Sequence, residues 1–286
     1  MTATLPYVRF GPSVPRHPVL ISVPHAGRAY PDALAQLCRL SVTDLVPLED
    51  RFADKLVDRV VADGFSAIIA TTPRAWIDLN RAEREYDPTL VDGMRIGLPI
   101  ASAKVRGGLG IIPRRIARGG DIWKRMISAD AFTARLVDHH RPYHDALSGM
   151  IEAIVARFGV AIVLDLHSMP PLAPLANRTT PRVIIGDLFG RSAFSCFTDQ
   201  VSQIVAAHKI SQSTNVPYAG GYILERHGNP VRNVHALQIE IDRSLYLDGT
   251  LTQLGSGVAA MQHLVRDIVA SLSDEAMRSS LMQAAE

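Results

Sequence analysis

The chain has 286 residues, of which 47% are hydrophobic and 20% are charged, which is ordinary for a water-soluble globular protein. Its formal net charge of +2 is too small to indicate binding to nucleic acid or to an anionic membrane. Its two cysteines, Cys38 and Cys196, provide neither a disulfide framework nor a paired-cysteine metal site. The first residues lack the pattern of a signal peptide, and no apolar run has the roughly 18 residues of a membrane span, so we expect a cytoplasmic protein.

Short β-branched runs alternate with segments of helical periodicity along the chain. Strands are predicted at residues 19–23, 66–71, 160–166, 182–186 and 236–241. Helices are predicted at residues 50–61, once or twice within 128–158, and at 192–208 and 257–273. This alternation predicts an α/β fold with helices on both faces of a largely parallel sheet. Because no linker or repeat separates two halves, we expect one domain over residues 1–286.

Residues suited to metal chemistry lie at the ends of three predicted strands. His25 follows the first strand, Asp165 and His167 lie at the end of the third, and Glu240 lies within the fifth. In open α/β sheets, reactive side chains gather at the carboxyl ends of strands. Two histidines and a carboxylate suit zinc, but a histidine at a strand end is often purely structural. Taken alone, these residues leave both roles open.

The order of motifs along the chain resembles the N-formylglutamate amidohydrolase family. The matching segments span residues 19–246 and include ISVPHAGRAYP, LEDRFADKLVD, RAWIDLNR, GLGIIPRR, RPYHDAL, LDLHSMP, VIIGDLFG, AGGYILERHGNP and HALQIEIDRSLY. The resemblance implies a three-layer αβα fold with a central, mostly parallel or mixed sheet, similar to that of zinc carboxypeptidases and aspartoacylase-type deacylases. It also implies one divalent metal ion, for which zinc fits histidine and aspartate ligands best.

The resemblance implies that His25 and His167 are metal ligands and that an acid of the LVPLED segment is the third. We assign Asp50, with Glu49 as the fallback, because the family's acid stands at the same distance before a leucine. Family members often carry histidine where this chain has Phe52. We interpret Phe52 as helix packing, so the departure bears on substrate preference more than on metal binding.

By the same resemblance, Glu240 is the general base and later the proton donor to the leaving amine. A carboxylate on a buried strand beside a dication can ionise and still transfer a proton in a dry pocket. The structural alternative is that Glu240 pairs with a buried arginine such as Arg243. Asp165, two residues before His167, is expected to orient an imidazole.

The segment RAWIDLNR is expected to bind the anionic part of the substrate. Asn80 and Arg81 resemble the pair that holds the terminal carboxylate in carboxypeptidases, and an arginine fork matches a carboxylate. Arg74 is expected to polarise the scissile carbonyl, and Asp78, on the same strand face as Asn80, to orient an arginine. The structural alternative is a surface turn joined by salt bridges.

Two glycine-containing segments could suggest a nucleotide site or a loop over the pocket, and we interpret each separately. RGGLG precedes Ile-Ile-Pro and does not open a helix, so a dinucleotide site is not expected. AGGYILERHG is predicted to be a hairpin or loop over the pocket, with Tyr222 and Arg226 contacting the substrate. His144 and His235 are single histidines, and we expect structural or supporting roles for both.

The combined prediction is a metal-dependent amidohydrolase that cleaves N-formyl-L-glutamate to formate and L-glutamate, a step of histidine degradation. Its expected partner is a small acidic N-acyl amino acid. One alternative keeps the site and changes the substrate to another N-acyl amino acid, a small peptide or an amide. Another is a protein that binds carboxylates without catalysis, which conflicts with the joint presence of His25, His167 and Glu240.

Overall fold

The computed structural model describes residues 5–93, 97–116, 120–176 and 179–283. The chain divides into two compact units, each assembled from segments that are not consecutive. The segments of the first unit lie within residues 1–8, 24–50 and 69–146, and those of the second within 9–23, 51–68 and 147–286. One catalytic domain over the whole chain stays a prediction.

The regular elements are mostly short, apart from two strands and three helices. The described strands are β1 (Tyr7–Phe10), β2 (Val19–Val23), β3 (Ser66–Ala70), β4 (Val91–Asp92), β5 (Arg115–Ile116), β6 (Gly120–Asp121), β7 (Ile127–Ser128), β8 (Ala161–Met169), β9 (Val183–Gly186), β10 (Gln212–Thr214) and β11 (Val234–Asp242). The described α-helices are α1 (Asp32–Leu37), α2 (Val42–Leu45), α3 (Asp58–Ala62), α4 (Ala103–Arg106), α5 (Ala129–Arg135), α6 (Arg141–Phe158), α7 (Ser195–Ala207), α8 (Tyr222–His227) and α9 (Val258–Gln283).

The second unit carries most of a seven-stranded mixed sheet in the order β1-β3-β2-β8-β11-β9-β10. Strands β2, β8 and β11 run parallel, whereas β9 is antiparallel to β11 and parallel to β10. Every residue of β2 and β8 is buried, as expected for strands covered on both faces. The α/β class and the mixed sheet are therefore confirmed.

Helix α9 packs on this sheet through one apolar face. Leu264, Ile268 and Leu272 are fully buried, and their spacing of four places them on one side of the helix. The helix contacts β2, β8, α3 and α7. Burial of each such side chain contributes about 1.5–3 kcal/mol to folding. The helix predicted at 257–273 is present and continues to Gln283. None of the described helices combines the length and apolarity needed to cross a lipid bilayer.

The first unit consists largely of irregular chain with small β pairs, β4 with β7 and β5 with β6. Its main helical stretch runs through α5, a five-residue π-helical turn at Leu136–His140, and the start of α6. This stretch matches the helices predicted within 128–158. Residues 71–90, all of which are described, contain neither helix nor strand.

The helix predicted over residues 50–61 is wrong in its first half. Phe52 has φ 58° and ψ 20°, in the left-handed region, which interrupts a right-handed helix. A 3₁₀ turn at Ala53–Val57 follows, and α3 covers only Asp58–Ala62. Asp50 therefore lies outside any helix, and Phe52 is not a packing residue within one.

Two other local predictions are also wrong. Residues 222–227 form the short helix α8 rather than a hairpin or loop. Asp78 and Asn80 do not share a strand face, because residues 71–90 contain no strand. In both segments, contacts with the rest of the unit decide the backbone, and periodicity over so few residues is a weak signal.

A buried cation stabilises the first unit. The guanidinium carbon of Arg135 on α5 lies 3.5 Å from the ring centroid of Trp76 and 4.6 Å from that of Trp123. Its Nη1 donates to the carbonyl oxygen of Trp76 at 3.1 Å. Burial lowers the pKa of Arg135 to about 9, so the side chain still carries its charge at neutral pH.

We expect Arg135→Lys to lower the free energy of unfolding by about 2 kcal/mol, because an ammonium cannot stack as a plane between two indoles. Urea denaturation followed by tryptophan fluorescence measures the change. The matched control is Arg157→Lys, since Arg157 is exposed and lies 5.4 Å from the ring of Phe158. The control should shift stability by less than about 0.5 kcal/mol. An unchanged midpoint for Arg135→Lys would contradict this account of the cluster.

Candidate functional site

Three buried residues form a group that could hold a metal ion. They are His25, just after β2, Asp50, and His167 within β8. Each offers one ligand atom, and these atoms all lie within 4.8 Å of one another. Two imidazoles and one carboxylate in a buried, compact group are a common zinc ligand set that leaves one position open. The group contains the predicted Asp50 and not the fallback Glu49; ligation itself stays a prediction.

His25 is held by two carboxylates of its own unit. Its Nε2 lies 2.7 Å from Oδ1 of Asp78, and its Nδ1 lies 3.6 Å from Oδ2 of Asp50. The amide of Asp50 also donates to the carbonyl oxygen of His25 at 2.9 Å. A carboxylate on one ring nitrogen fixes the tautomer and directs the other nitrogen toward a metal. The surroundings of His25 therefore fit a ligand that binds through Nδ1.

Asp78 is fully buried and is the centre of the polar network in the first unit. Besides His25, its Oδ1 accepts from the amide of Asn80 at 2.8 Å. Its Oδ2 accepts from Nε of Arg74 at 2.8 Å and lies 4.0 Å from Nε of Arg81. Burial alone would raise the pKa of Asp78, but Arg74, His25 and Arg81 together hold it well below its usual range. The predicted contact with a neighbouring arginine is present.

The other members of the RAWIDLNR segment lie around this carboxylate. Arg81 donates from Nη1 to the carbonyl oxygen of Asn80 at 2.6 Å and from Nε to that of Leu109 at 3.2 Å. The side chain of Arg81 is 9% exposed, whereas that of Arg74 is 17% exposed. Asp78 has no exposed side-chain surface, so a ligand reaches the two arginines more readily than it reaches Asp78.

His167 is oriented by residues of the sheet in the second unit. Its Nε2 lies 2.8 Å from Oδ2 of Asp165, the partner that the sequence predicted. Oδ1 of Asp165 accepts from the hydroxyl of Ser22 at 2.8 Å, across from β2, where these two residues are in register. Sequence reasoning missed Ser22. The available signal was a hydroxyl residue inside an otherwise apolar strand.

Glu240 is placed beside His167 by strand register. The two residues are paired neighbours on the parallel strands β11 and β8, so their side chains leave the same face of the sheet. Glu240 is partly exposed, and its Oε1 accepts from Nε2 of the buried Gln238 at 3.1 Å. Gln238 was also missed, although its spacing of two from Glu240 puts it on the same face. Arg243 donates to Oγ and to the carbonyl oxygen of Ser168, at 3.2 Å each.

The remaining predicted residues have varied surroundings. Glu49 is buried and accepts from the hydroxyl of Tyr30 at 2.6 Å. Tyr222 and Arg226 lie on α8, and Nη1 of the exposed Arg226 donates to the hydroxyl of Tyr222 at 3.1 Å. His235 lies between aromatic rings, and burial lowers its pKa to about 4, as expected of a structural histidine.

Comparison with known proteins gives a consistent result. The model of the family described as N-formylglutamate amidohydrolase matches residues 17–247. An N-formylglutamate deformylase of Pseudomonas putida is 29% identical over 237 residues, 82% of this chain and 84% of that protein. One of Pseudomonas aeruginosa is 28% identical, over 82% of this chain and 83% of that protein. The crystal structure of N-formylglutamate amidohydrolase from Ralstonia eutropha JMP134 has a TM-score of 0.86 at 28% identity, covering 96% of this chain and 98% of that one.

The α/β fold and the buried group of His25, Asp50 and His167, which could hold a metal ion, are typical of metal-dependent hydrolases. Within that class, the chain belongs to the N-formylglutamate amidohydrolase family, because the family model covers well over half of it. The predicted family is thereby confirmed. The prediction of a hydrolase acting on carbon–nitrogen bonds other than peptide bonds is confirmed at the level of the family.

We expect Asp78→Asn to weaken the binding of Zn²⁺ by about 10- to 100-fold, because the neutral amide no longer orients His25 or stabilises its Nε2 proton. Competition with a chromophoric chelator measures the affinity. Asp87→Asn is the matched control: Asp87 is also a buried residue of the first unit, but its carboxylate holds Arg114 at 2.7 Å. Asp87→Asn should bind Zn²⁺ as tightly as the wild type, whereas Asp78→Asn should bind it more weakly. Equal affinities in both would show that Asp78 does not act through His25.

Proposed function

We propose that this protein is a zinc-dependent amidohydrolase that cleaves N-formyl-L-glutamate into formate and L-glutamate. The observation that carries the proposal is the buried group of His25, Asp50 and His167, with Glu240 in register beside His167. Membership of the N-formylglutamate amidohydrolase family supports the substrate. The donor set suits zinc, and both histidines have carboxylates against Nε2, as metal-binding histidines usually do.

In this proposal His25, Asp50 and His167 hold the zinc ion, which would supply Lewis-acid polarisation and make water a better nucleophile at neutral pH. Glu240 accepts a proton from the attacking water and later delivers it to the amide nitrogen as the carbon–nitrogen bond breaks. Gln238, by donating to Oε1, keeps the Glu240 carboxylate in one orientation.

The arginine segment recognises the acidic substrate in this proposal. Asn80 and Arg81 bind the α-carboxylate, and Arg74 polarises the formyl oxygen, because planar guanidinium groups suit both tasks. Asp78 supports both arginines from a buried position. Tyr222 and Arg226 are further substrate contacts. Arg226 is exposed on α8 and has its guanidinium hydrogen-bonded to Tyr222, so the pair can present a cation to a second carboxylate.

A second candidate keeps this chemistry and changes the acyl group or the amino acid. The partly exposed aromatic side chain of Phe52, two residues after Asp50, favours it, since it adds an apolar surface close to a proposed ligand. A panel of N-formyl, N-acetyl and larger N-acyl amino acids separates the two candidates. The substrate with the highest kcat/KM decides between them.

We expect Glu240→Gln to lower kcat about 10²- to 10⁴-fold, the usual contribution of a positioned acid–base group, while zinc content stays near one ion per chain. The assay measures release of formate and L-glutamate, with elemental analysis of each variant. His167→Ala should lose both activity and zinc. Glu152→Gln, an exposed residue on α6, is the control and should behave as the wild type. A fully active Glu240→Gln enzyme would place proton transfer elsewhere.

We expect Arg81→Ala to lower kcat/KM steeply for N-formylglutamate, since truncating one partner of a buried charge pair costs about 2–5 kcal/mol. The test is a double cycle with N-formyl-4-aminobutanoate, which lacks only the α-carboxylate. The variant should lose little further activity on this second substrate. Arg84→Ala, three residues along the chain and exposed, is the control. Additive losses in the cycle would mean that Arg81 and the α-carboxylate never meet.

A further inference from the structure

The segment that carries the proposed anion-binding residues has no secondary structure of its own to fix it. Residues 72–83, here called the arginine loop, contain neither helix nor strand. An irregular segment holds catalytic geometry only if hydrogen bonds and packing from the rest of the fold fix its backbone. The source of that support in the first unit identifies which residues position Asn80 and Arg81.

One helical stretch supplies much of this support. Between α5 and the first turn of α6, five residues bond to the arginine loop within a span of ten. The bonds are Arg135 Nη1 to the carbonyl oxygen of Trp76 at 3.1 Å, His139 Nδ1 with the hydroxyl of Thr72 at 2.9 Å, His140 Nε2 to the carbonyl oxygen of Arg81 at 2.8 Å, Arg141 Nε and Nη2 to the carboxylate of Glu83 at 2.9 and 2.8 Å, and His144 Nε2 to the carbonyl oxygen of Leu79 at 2.9 Å.

Two of these residues act on the carbonyl groups that flank Asn80. His140 and His144 are both 0% exposed, and their ring centroids are 4.5 Å apart. They are four residues apart at the junction of the π-helical turn and α6, so they lie on one helix face. A carbonyl oxygen can only accept, so Nε2 carries the proton in both rings. Their role needs no change of protonation.

Four backbone groups around Asn80 form hydrogen bonds. The carbonyl oxygens of Leu79 and Arg81 accept from the two histidines, and that of Asn80 accepts from Nη1 of Arg81. The amide of Asn80 donates to Oδ1 of Asp78. With these groups fixed, the side chains of Asn80 and Arg81 start from one backbone conformation. Such fixed geometry is what recognition of a planar carboxylate requires.

We propose that His140 and His144 are positioning residues that set the carboxylate-binding geometry of Asn80 and Arg81. The inference rests on the proposed function for its substrate, but the contacts themselves are independent of it. Both histidines act through the backbone of the arginine loop, since Nε2 of each bonds to a carbonyl oxygen of that loop. Removing either donor leaves a buried carbonyl oxygen without that hydrogen bond, which loosens the arginine loop and weakens carboxylate binding.

The test compares phenylalanine and glutamine at both positions. Phenylalanine keeps a ring but has no donor, whereas Nε2 of glutamine lies the same number of bonds from Cα as Nε2 of histidine. We expect His140→Phe and His144→Phe to raise KM for N-formylglutamate about tenfold or more, with smaller changes in kcat and unchanged zinc content. The glutamine variants should restore KM. Equal KM in the phenylalanine variants and the wild type, or no rescue by glutamine, overturns the proposal.

A matched control and a second readout separate this inference from the proposed function. His235→Phe replaces another buried histidine, one packed against Phe194 and Phe197 in the second unit, and should leave KM unchanged. Hydrogen exchange of the backbone amides at residues 78–81 needs no substrate. Exchange should speed up in His140→Phe and His144→Phe but not in His235→Phe. If the wild type does not hydrolyse N-formylglutamate, the proposed function fails while this readout still decides the positioning role.

A milder substitution covers the case in which the buried phenylalanines prevent folding. Glu83→Gln weakens the pair between Glu83 and Arg141, whose side chains are 21% and 43% exposed, so the variant should fold. It releases one end of the arginine loop from α6. Amides of the loop should exchange faster and KM should rise several-fold. Unchanged exchange in this variant would show that the helical stretch does not set the loop conformation.

Discussion

The polar network of the first unit depends on the hydrogen bonds and ion pairs of one buried carboxylate, that of Asp78. One of its oxygens faces Nε2 of His25 and the other accepts from Arg74, so a single side chain fixes a candidate metal ligand and a candidate substrate contact together. A carboxylate with no exposed surface is costly to bury unless charges and hydrogen bonds compensate it. Here the compensation comes from Arg74, His25 and Arg81, which keep its pKa low.

The two candidate histidine ligands are oriented by the same chemistry in two different frameworks. Asp165 orients His167 from two positions earlier on the same strand, and Ser22 orients Asp165 from the neighbouring strand. The register between β2 and β8 therefore sets the orientation of the His167 ring. Asp78 does the equivalent for His25 from irregular chain, where hydrogen bonds to backbone carbonyls take the place of a strand ladder. An irregular segment is harder to hold, and the π-helical turn with its neighbours provides the extra donors.

A short stretch around Asp50 shows how local pattern and tertiary structure compete. The spacing of Phe52, Leu56 and Val60 suits a helix, but only Asp58–Ala62 is α-helical. The left-handed conformation of Phe52 is unfavourable by about 1–2 kcal/mol for a residue with a Cβ. Next to Phe52, the hydroxyl of Tyr246 donates to the carbonyl oxygen of Arg51 within the second unit. Non-glycine residues with left-handed φ and ψ angles are often found at functional sites.

The sequence by itself determined the five strands β2, β3, β8, β9 and β11, the α/β class and the residues of the candidate metal group, because apolar runs and motif order are local properties of the chain. It missed the edge strands β1 and β10 and the two-residue strands, which are too short or too exposed to form an apolar run. It also predicted the Asp165–His167 pair, since a spacing of two on a strand places side chains on one face. Only the tertiary structure decided that Asp78 faces His25. The same holds for the contacts of Ser22 with Asp165 and of Gln238 with Glu240 on the sheet. It also holds for the bonds of His140 and His144 to the carbonyl groups beside Asn80. These contacts join residues far apart in the chain or on neighbouring strands, and their partners follow from packing and register, which no local pattern encodes.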